Sequence, residues 1–440
     1  MTEAALIIAS PWPRTGTANL FAAQSLFLSS RGYRTAILLN PHRAEHRVKF
    51  RDWWTSTLEA MRYEGVHLLC RAITSRRTKP WLSLSFLQWL INGRDSQLAI
   101  MARYAAAAEL PPELLSFLNR NDLRIIVVNH CFQMQVAEKI LRYLEKTGRP
   151  RPAVVLETID VQARLYSSGQ IDNVFKGTPD AIDLLEHDEL RLAGAAQALT
   201  YVTAEDMRHA CPGPQPRHLV LATIAPETEK QLLQLNGTAD DDHLPIDFLY
   251  VGNNNPGNAL SIQWFLNEVA PLLDKAYSIT IVGNIAAHIK STNRELFERF
   301  EKHFVGEVSD IVDYYRKAAV VIAPTKFGTG TSIKTIEALA AGKPIVATTE
   351  ALRGLPSETT FPLPSVADEA AEFASAMVYA RRNRSELGER SRRLYLELFS
   401  NEKYFERWDG VLAAVGLGNA NAATLPSVPR QGYGEADRPV

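Results

Sequence analysis

Short runs of mostly apolar residues alternate along this chain with longer stretches in which apolar positions recur every three or four residues. The runs at 4–9, 35–39, 124–128, 153–156 and 198–202 are apolar on both alternating faces, the pattern of parallel strands covered on both sides. Helical periodicity fills 18–30 and 181–192. Between the first strand and the first helix lies Ser10-Pro11-Trp12-Pro13-Arg14-Thr15-Gly16-Thr17, rich in turn formers. The alternation breaks at the proline-rich stretch 211–217 and the polar stretch 236–245. It then restarts with strands at 246–251, 279–282, 304–305, 320–323 and 345–347 and helices at 262–273 and 332–341. Two doubly wound, Rossmann-like α/β domains in tandem are expected. They are assigned to 1–222 and 223–395. A helical stretch at 396–416 is expected to pack back on the N-terminal domain, and the polar tail 417–440 is expected to be disordered.

Composition narrows the function classes. Of 440 residues, 46% are hydrophobic, 22% charged and 9% aromatic, which fits a soluble globular protein and not a coiled coil or disordered chain. Lys+Arg 48 against Asp+Glu 49 gives a net charge of −1, and that balance argues against a nucleic-acid partner. Cys70, Cys131 and Cys211 are widely spaced, fitting neither a disulfide framework nor a zinc site. Residues 1–10 lack a basic leader, and no apolar run approaches the ~18 residues a membrane span needs. A cytoplasmic protein is expected. One local exception stands out. Arg43, Arg47, Lys49, Arg51, Arg71, Arg76, Arg77 and Lys79 surround Trp53, Trp54, Trp81 and Trp89 in 43–94. Such a segment suits peripheral contact with an anionic membrane, here the inner face of the plasma membrane. It equally suits a solvated basic helix beside a buried apolar one.

The chemistry concentrates in the strand, Gly-rich loop and helix of 323–344. Gly328 and Gly330 permit a sharp turn, after which the unpaired N–H groups and macrodipole of a helix start face any anion placed there. The spacing is neither that of a P-loop nor that of a dinucleotide fingerprint. Glu337, two turns along the helix, suits ribose hydroxyls, and Lys334 suits a phosphate. No metal site is expected, since no Asp-x-Asp lies in a plausible donor loop; Asp240, Asp241 and Asp242 sit in the linker.

Four segments occur in a fixed order: Tyr250-Val-Gly-Asn-Asn-Asn-Pro-Gly-Asn258, Trp264–Pro271, His303-Phe-Val-Gly-Glu-Val-Ser-Asp310 and Glu337–Thr348. Together with the Gly-rich loop they resemble the donor-binding domain of GT-B glycosyltransferases, in particular family 4, over roughly 245–400. The resemblance implies a two-domain GT-B transferase using a nucleotide-sugar donor as co-substrate, with no other cofactor. It implies a glycan, lipid-linked or small-molecule acceptor in bacterial-type glycan, polysaccharide or glycolipid synthesis, and retention of configuration. By position it puts Gly252 and Asn253 at the donor phosphates, where relatives often have Arg instead of Asn. Gly306, Glu307 and Val308 fall at the base, Gly328, Thr329, Gly330 and Thr331 at the phosphate and sugar, and Glu337 at the ribose. Many members carry a second Glu eight residues before the helix one; here that position is Thr329. In the N-terminal domain Gly16 and Thr17 match a loop approaching the donor. His130 and Asp160 follow strands at the cleft end, where ligands of open α/β sheets bind, and with Lys334 form the expected catalytic set. Glu157 is expected to cap a helix, and Glu205 and Asp206 to serve the hinge or a cap. A same-fold epimerase and a non-catalytic nucleotide-sugar-binding subunit are the alternatives.

Overall fold

The computed structural model describes residues 1–12, 15–41, 58–70, 96–107, 109–167, 179–210, 213–235, 244–254, 256–327, 331–356 and 366–418. Most of the basic, tryptophan-rich segment 43–94 and nearly all of the tail 417–440 lie outside these residues, as do Gly328, Thr329 and Gly330. Two all-parallel sheets form the molecule, as the doubly wound pattern implies. The first contains β1 (Thr2–Ala9), β2 (Arg34–Leu39), β3 (His67–Cys70), β4 (Asn121–Asn129), β5 (Ala153–Glu157), β6 (Ala198–Tyr201) and β7 (Arg217–Leu219) in the order β3-β2-β1-β4-β5-β6-β7. The second contains β8 (Ile246–Val251), β9 (Ile279–Val282), β10 (Phe304–Gly306), β11 (Ala318–Ala323) and β12 (Ile345–Ala347) in the order β10-β9-β8-β11-β12. Strand order reverses between β1 and β4 in one sheet and between β8 and β11 in the other. Those reversals open a crevice at the carboxyl edge of each sheet.

Strands β3 and β7 escape the hydrophobic pattern because they are short edge strands carrying His67, Arg217 and His218. The stretch expected as one helix over 262–273 is instead a helix Pro256–Trp264, a π turn Phe265–Val269 and a 3₁₀ turn Ala270–Leu272. Pro256 opens the helix, where its missing N–H leaves no bond unmade, and Pro271 cannot continue regular pairing. Among the described residues no helix is long and apolar enough to cross a membrane.

One buried cluster runs through both domains, joining Ile7, Phe21, Val127 and Val155 to Leu249, Val321, Ile336 and Ile345. The chain crosses between domains at Val220–Ile224 and again at Phe399. The two crossings are bonded together. Thr223 donates to the Phe399 carbonyl at 2.6 Å, and Glu229 accepts from the Tyr395 hydroxyl at 2.7 Å and from Asn401 N–H at 2.8 Å. Helix Arg384–Leu398 stays with the second domain, where Arg392 donates to the carbonyls of Leu232, Leu233 and Leu235. Helix Asn401–Ala414, capped by Ser400, returns to the first domain. Its Phe405 and Trp408 rings lie 5.5 and 6.0 Å from Phe27, and Asp409 accepts both arms of Arg31.

Trp408 is fully buried, whereas the Arg31–Asp409 pair is about a third exposed. Trp408→Ala is therefore expected to cost about 3–5 kcal/mol of stability and Asp409→Ala less than about 1 kcal/mol. Urea unfolding measures both, and equal losses would contradict this ranking.

Candidate active site

The two crevices face each other and touch. Thr15, extended at φ −109°, caps helix Gly16–Ser30 by accepting from the Ala18 N–H at 3.4 Å, while its hydroxyl donates to the Trp12 carbonyl. Gly16 follows, pressed on the other domain: a Cβ there would lie 2.8 Å from Ile333 Cγ1. Ile333 is the first residue of helix Ile333–Ala340, which follows β11 and the Gly-rich loop. Just before it, the Thr331 hydroxyl donates to the Val202 carbonyl at the end of β6, 3.4 Å away. Two helix N-termini, each with unpaired N–H groups and the positive end of a macrodipole, thus abut across the domain boundary. An anion between them would relieve their repulsion.

Side chains of the second domain extend this site. Lys334 Nζ donates to Asn258 Oδ1 at 2.8 Å and lies 4.9 Å from the Tyr250 ring centroid. Asn258 Nδ2 in turn donates to Asn253 Oδ1 at 2.7 Å, which links the β8 loop to the lysine. Tyr315 donates its hydroxyl to Glu337 Oε2 at 2.9 Å. Burial pushes the Lys334 ammonium down to about 7, helped by the like charge of Arg353 and opposed by Glu337. Burial pushes the Glu337 carboxyl up to about 7, opposed by the Tyr315 hydrogen bond and by Lys334. Both are surrounded by protein yet keep some accessible surface. Gly252 is buried, Asn253 and Glu307 are exposed, and Thr17, Gly306, Val308 and Thr331 are half-buried. Tyr315 and Arg353 have no counterpart in the sequence motifs, and Asn258 enters them only as the end of the segment 250–258, with no role of its own. Only Asn258 leaves a local signal, an amide in the first turn of a helix.

The first domain contributes strand ends under strain. Among the described residues, His130 (φ 71°) and Ile159 (φ 59°) are the non-glycine residues with positive φ, and they follow the adjacent strands β4 and β5. The His130 N–H donates to the Glu157 carbonyl at 2.9 Å. Such backbone conformations persist only where surrounding structure enforces them. Asp160, half-buried, follows Ile159. The expected exposure of His130 to the cleft needs correction. Its ring stacks on Phe132 at 4.9 Å and meets the edge of Trp12 at 5.1 Å, leaving the residue 2% exposed. Glu157 also differs from expectation: it is fully buried beside Thr200 and its carboxyl is pushed up to about 7. The helix after β5 is capped by Glu189, which accepts from the N–H groups of Gln162 and Ala163. Asp206 lies in the first turn of helix Ala204–His209, where its N–H donates to the capping Thr203 hydroxyl, and Arg164 forks to Glu205 and Asp206 at 2.6 and 2.7 Å. Among the described residues no three His, Cys, Asp or Glu side chains converge as a metal site would.

Residues 245–383 match the family model of glycosyl transferases group 1. In three dimensions the chain is similar to Anabaena Alr3699/HepE, solved in complex with UDP, with a TM-score of 0.56 and 11% identity over 93% of this chain and 100% of that one. It is similar to sucrose-phosphate synthase from Thermosynechococcus elongatus, with a TM-score of 0.60 and 12% identity over 94% and 99% of the two chains. It is also similar to an E. coli structure described as trehalose-6-phosphate bound with UDP-2-fluoro glucose, with a TM-score of 0.58 and 12% identity over 94% and 99%. No curated protein sequence matches the chain. The fold is GT-B, and the C-terminal domain carries the group 1 glycosyl transferase match.

Glu337 provides a pH test of the site. Because its carboxyl is raised from 4.5 to about 7, the folded protein holds a proton there that the unfolded chain has released, so stability from this group falls as pH rises through that window. Burial lowers Lys334 as well, so it balances the carboxylate less as pH rises. Glu337→Gln is expected to melt near wild type at pH 5 and above it at pH 8. A gap that is constant or reversed between the two pH values contradicts the burial of this charge.

Proposed function

We propose that this chain is a glycosyltransferase that moves a sugar from a nucleoside diphosphate sugar to an acceptor hydroxyl, with the nucleotide on the C-terminal domain and the acceptor on the N-terminal one. The observation that carries this reading is the abutment of two helix N-termini at Gly16 and Ile333 beside Lys334 and Glu337. That arrangement suits a diphosphate between the helix ends and a ribose at Glu337. The UDP and UDP-sugar complexes of similar folds favour a uridine nucleotide as donor.

Catalysis on this reading is electrostatic. The bond between the anomeric carbon and the diphosphate oxygen breaks with its electron pair going to the diphosphate. The helix ends and protonated Lys334 stabilise that charge where it develops. The acceptor hydroxyl forms the new bond and gives up its proton, to the departing diphosphate oxygen if attack comes from the same face or to Asp160 if from the opposite face. Retention is the preferred outcome. Thr329 stands where many members of the resembled family have a carboxylate, so the sequence supplies no charge at that position. His130, held between Trp12 and Phe132, acts by positioning the β4 strand end or reaches the acceptor after Trp12 shifts. Closure of the two domains accompanies donor binding.

A panel of nucleotide sugars with glycan, lipid-linked and small-molecule acceptors tests the proposal. Acceptor-dependent release of nucleoside diphosphate is expected, falling about 100-fold or more in Lys334→Ala and Glu337→Ala. Binding without turnover across the panel would instead assign a non-catalytic subunit, and acceptor-independent isomerisation of the sugar an epimerase.

A further inference from the structure

Arg353 has no place in the sequence motifs, yet the backbone next to it lies against Thr331, the residue that bridges the two domains. Arg353 follows the 3₁₀ turn Thr349–Leu352 beyond β12, donates through Nη1 to the Glu350 carbonyl at 2.9 Å and keeps a side chain only 18% exposed. The next residue, Gly354, has φ 85°, and a Cβ there would lie 2.5 Å from Thr331 Oγ1. The backbone carrying Arg353 is therefore pressed against the residue that joins the Gly-rich loop to helix Ile333–Ala340. Thr331 itself reaches across to Val202 of the other domain.

The charges around this position belong to both domains. On the C-terminal side Arg353 acts on Lys334, and two cations facing one region repel unless an anion lies between them. Arg353 pairs with Glu350 of its own turn, Nη1 to Oε1 at 3.8 Å, and beyond that pair lies in the field of Asp160, Arg164 and Asp206 of the N-terminal domain. Arg164 already forks to Glu205 and Asp206. A guanidinium stays charged at every working pH and matches the paired oxygens of a phosphate with parallel donors.

We infer that Arg353 is a donor-binding residue shared between the diphosphate and Asp160: a bound nucleoside diphosphate draws the guanidinium toward Lys334 and leaves Asp160 open to the acceptor hydroxyl. This rests on the reading that the diphosphate lies at the start of helix Ile333–Ala340. It makes donor binding precede productive acceptor binding. It also gives the N-terminal domain a means of sensing whether the donor site is filled.

Calorimetric titration of the full chain with nucleoside diphosphates and the matching nucleosides tests the inference. In Arg353→Gln the diphosphate Kd is expected to rise about tenfold or more while the nucleoside Kd changes less than about twofold. Arg353→Lys is expected to recover only part of the loss, since a point charge replaces the fork. Asp160→Asn is expected to tighten diphosphate binding in the wild-type background and to have no effect in the Arg353→Gln background, the coupling that sharing requires. Equal weakening of nucleoside and diphosphate would make Arg353 a structural residue and overturn the inference. Asp160→Asn without effect on an Arg353-dependent diphosphate site would overturn the sharing. A wild-type chain that binds no nucleoside diphosphate at all would overturn the transferase reading instead.

Discussion

The contact between Gly16 and Ile333 is the constraint on which the rest of the site depends. It brings the starts of two helices, one from each domain, to a separation that leaves no room for a side chain at position 16. Each helix start follows a strand at a reversal of sheet order, β1 in the first domain and β11 in the second. The positive ends of two helix dipoles are thereby placed side by side, an arrangement that costs energy in an empty cleft and favours an anion in a filled one. Lys334 and Glu337 share that condition. Burial disfavours charge on both, and on the proposed reading a nucleotide offering phosphate to one and hydroxyls to the other offsets that penalty.

The joint between the domains is tied by side chains from both chain crossings. Glu229 gathers Tyr395 and Asn401, and Thr223 holds Phe399, so the two chain crossings are bonded to each other. The final helix is anchored on the first domain through Trp408 and Phe405 against Phe27, while the helix before it is anchored on the second through Arg392.

How much of this is legible in the sequence follows from the range of each interaction. The central strands are legible because they are buried on both faces and read as unbroken apolar runs. Strands β3 and β7 are not, because edge strands tolerate His67, Arg217 and His218. Lys334 and Glu337 are legible because loop, helix start and carboxylate are consecutive in the chain. Their partners are not: Asn258 is 76 residues from Lys334 and Tyr315 is 22 from Glu337, and no local pattern encodes a bond closed by the fold. The same reason hides the aromatic enclosure of His130, whose Trp12 arrives from the β1 loop, and the role of Glu189, which caps a helix from another element. Arg353 is the clearest case, since the residue its backbone approaches, Thr331, and the charges that act on it from the other domain are all far away in the chain.

Hydrogen–deuterium exchange of the full chain with and without UDP tests the central claim most directly. Slowed exchange is expected together at the starts of both facing helices, in segments 15–20 and 331–337, and at 250–258 in the β8 loop. Protection confined to one domain, or absent from the helix starts while UDP is bound, would contradict the account.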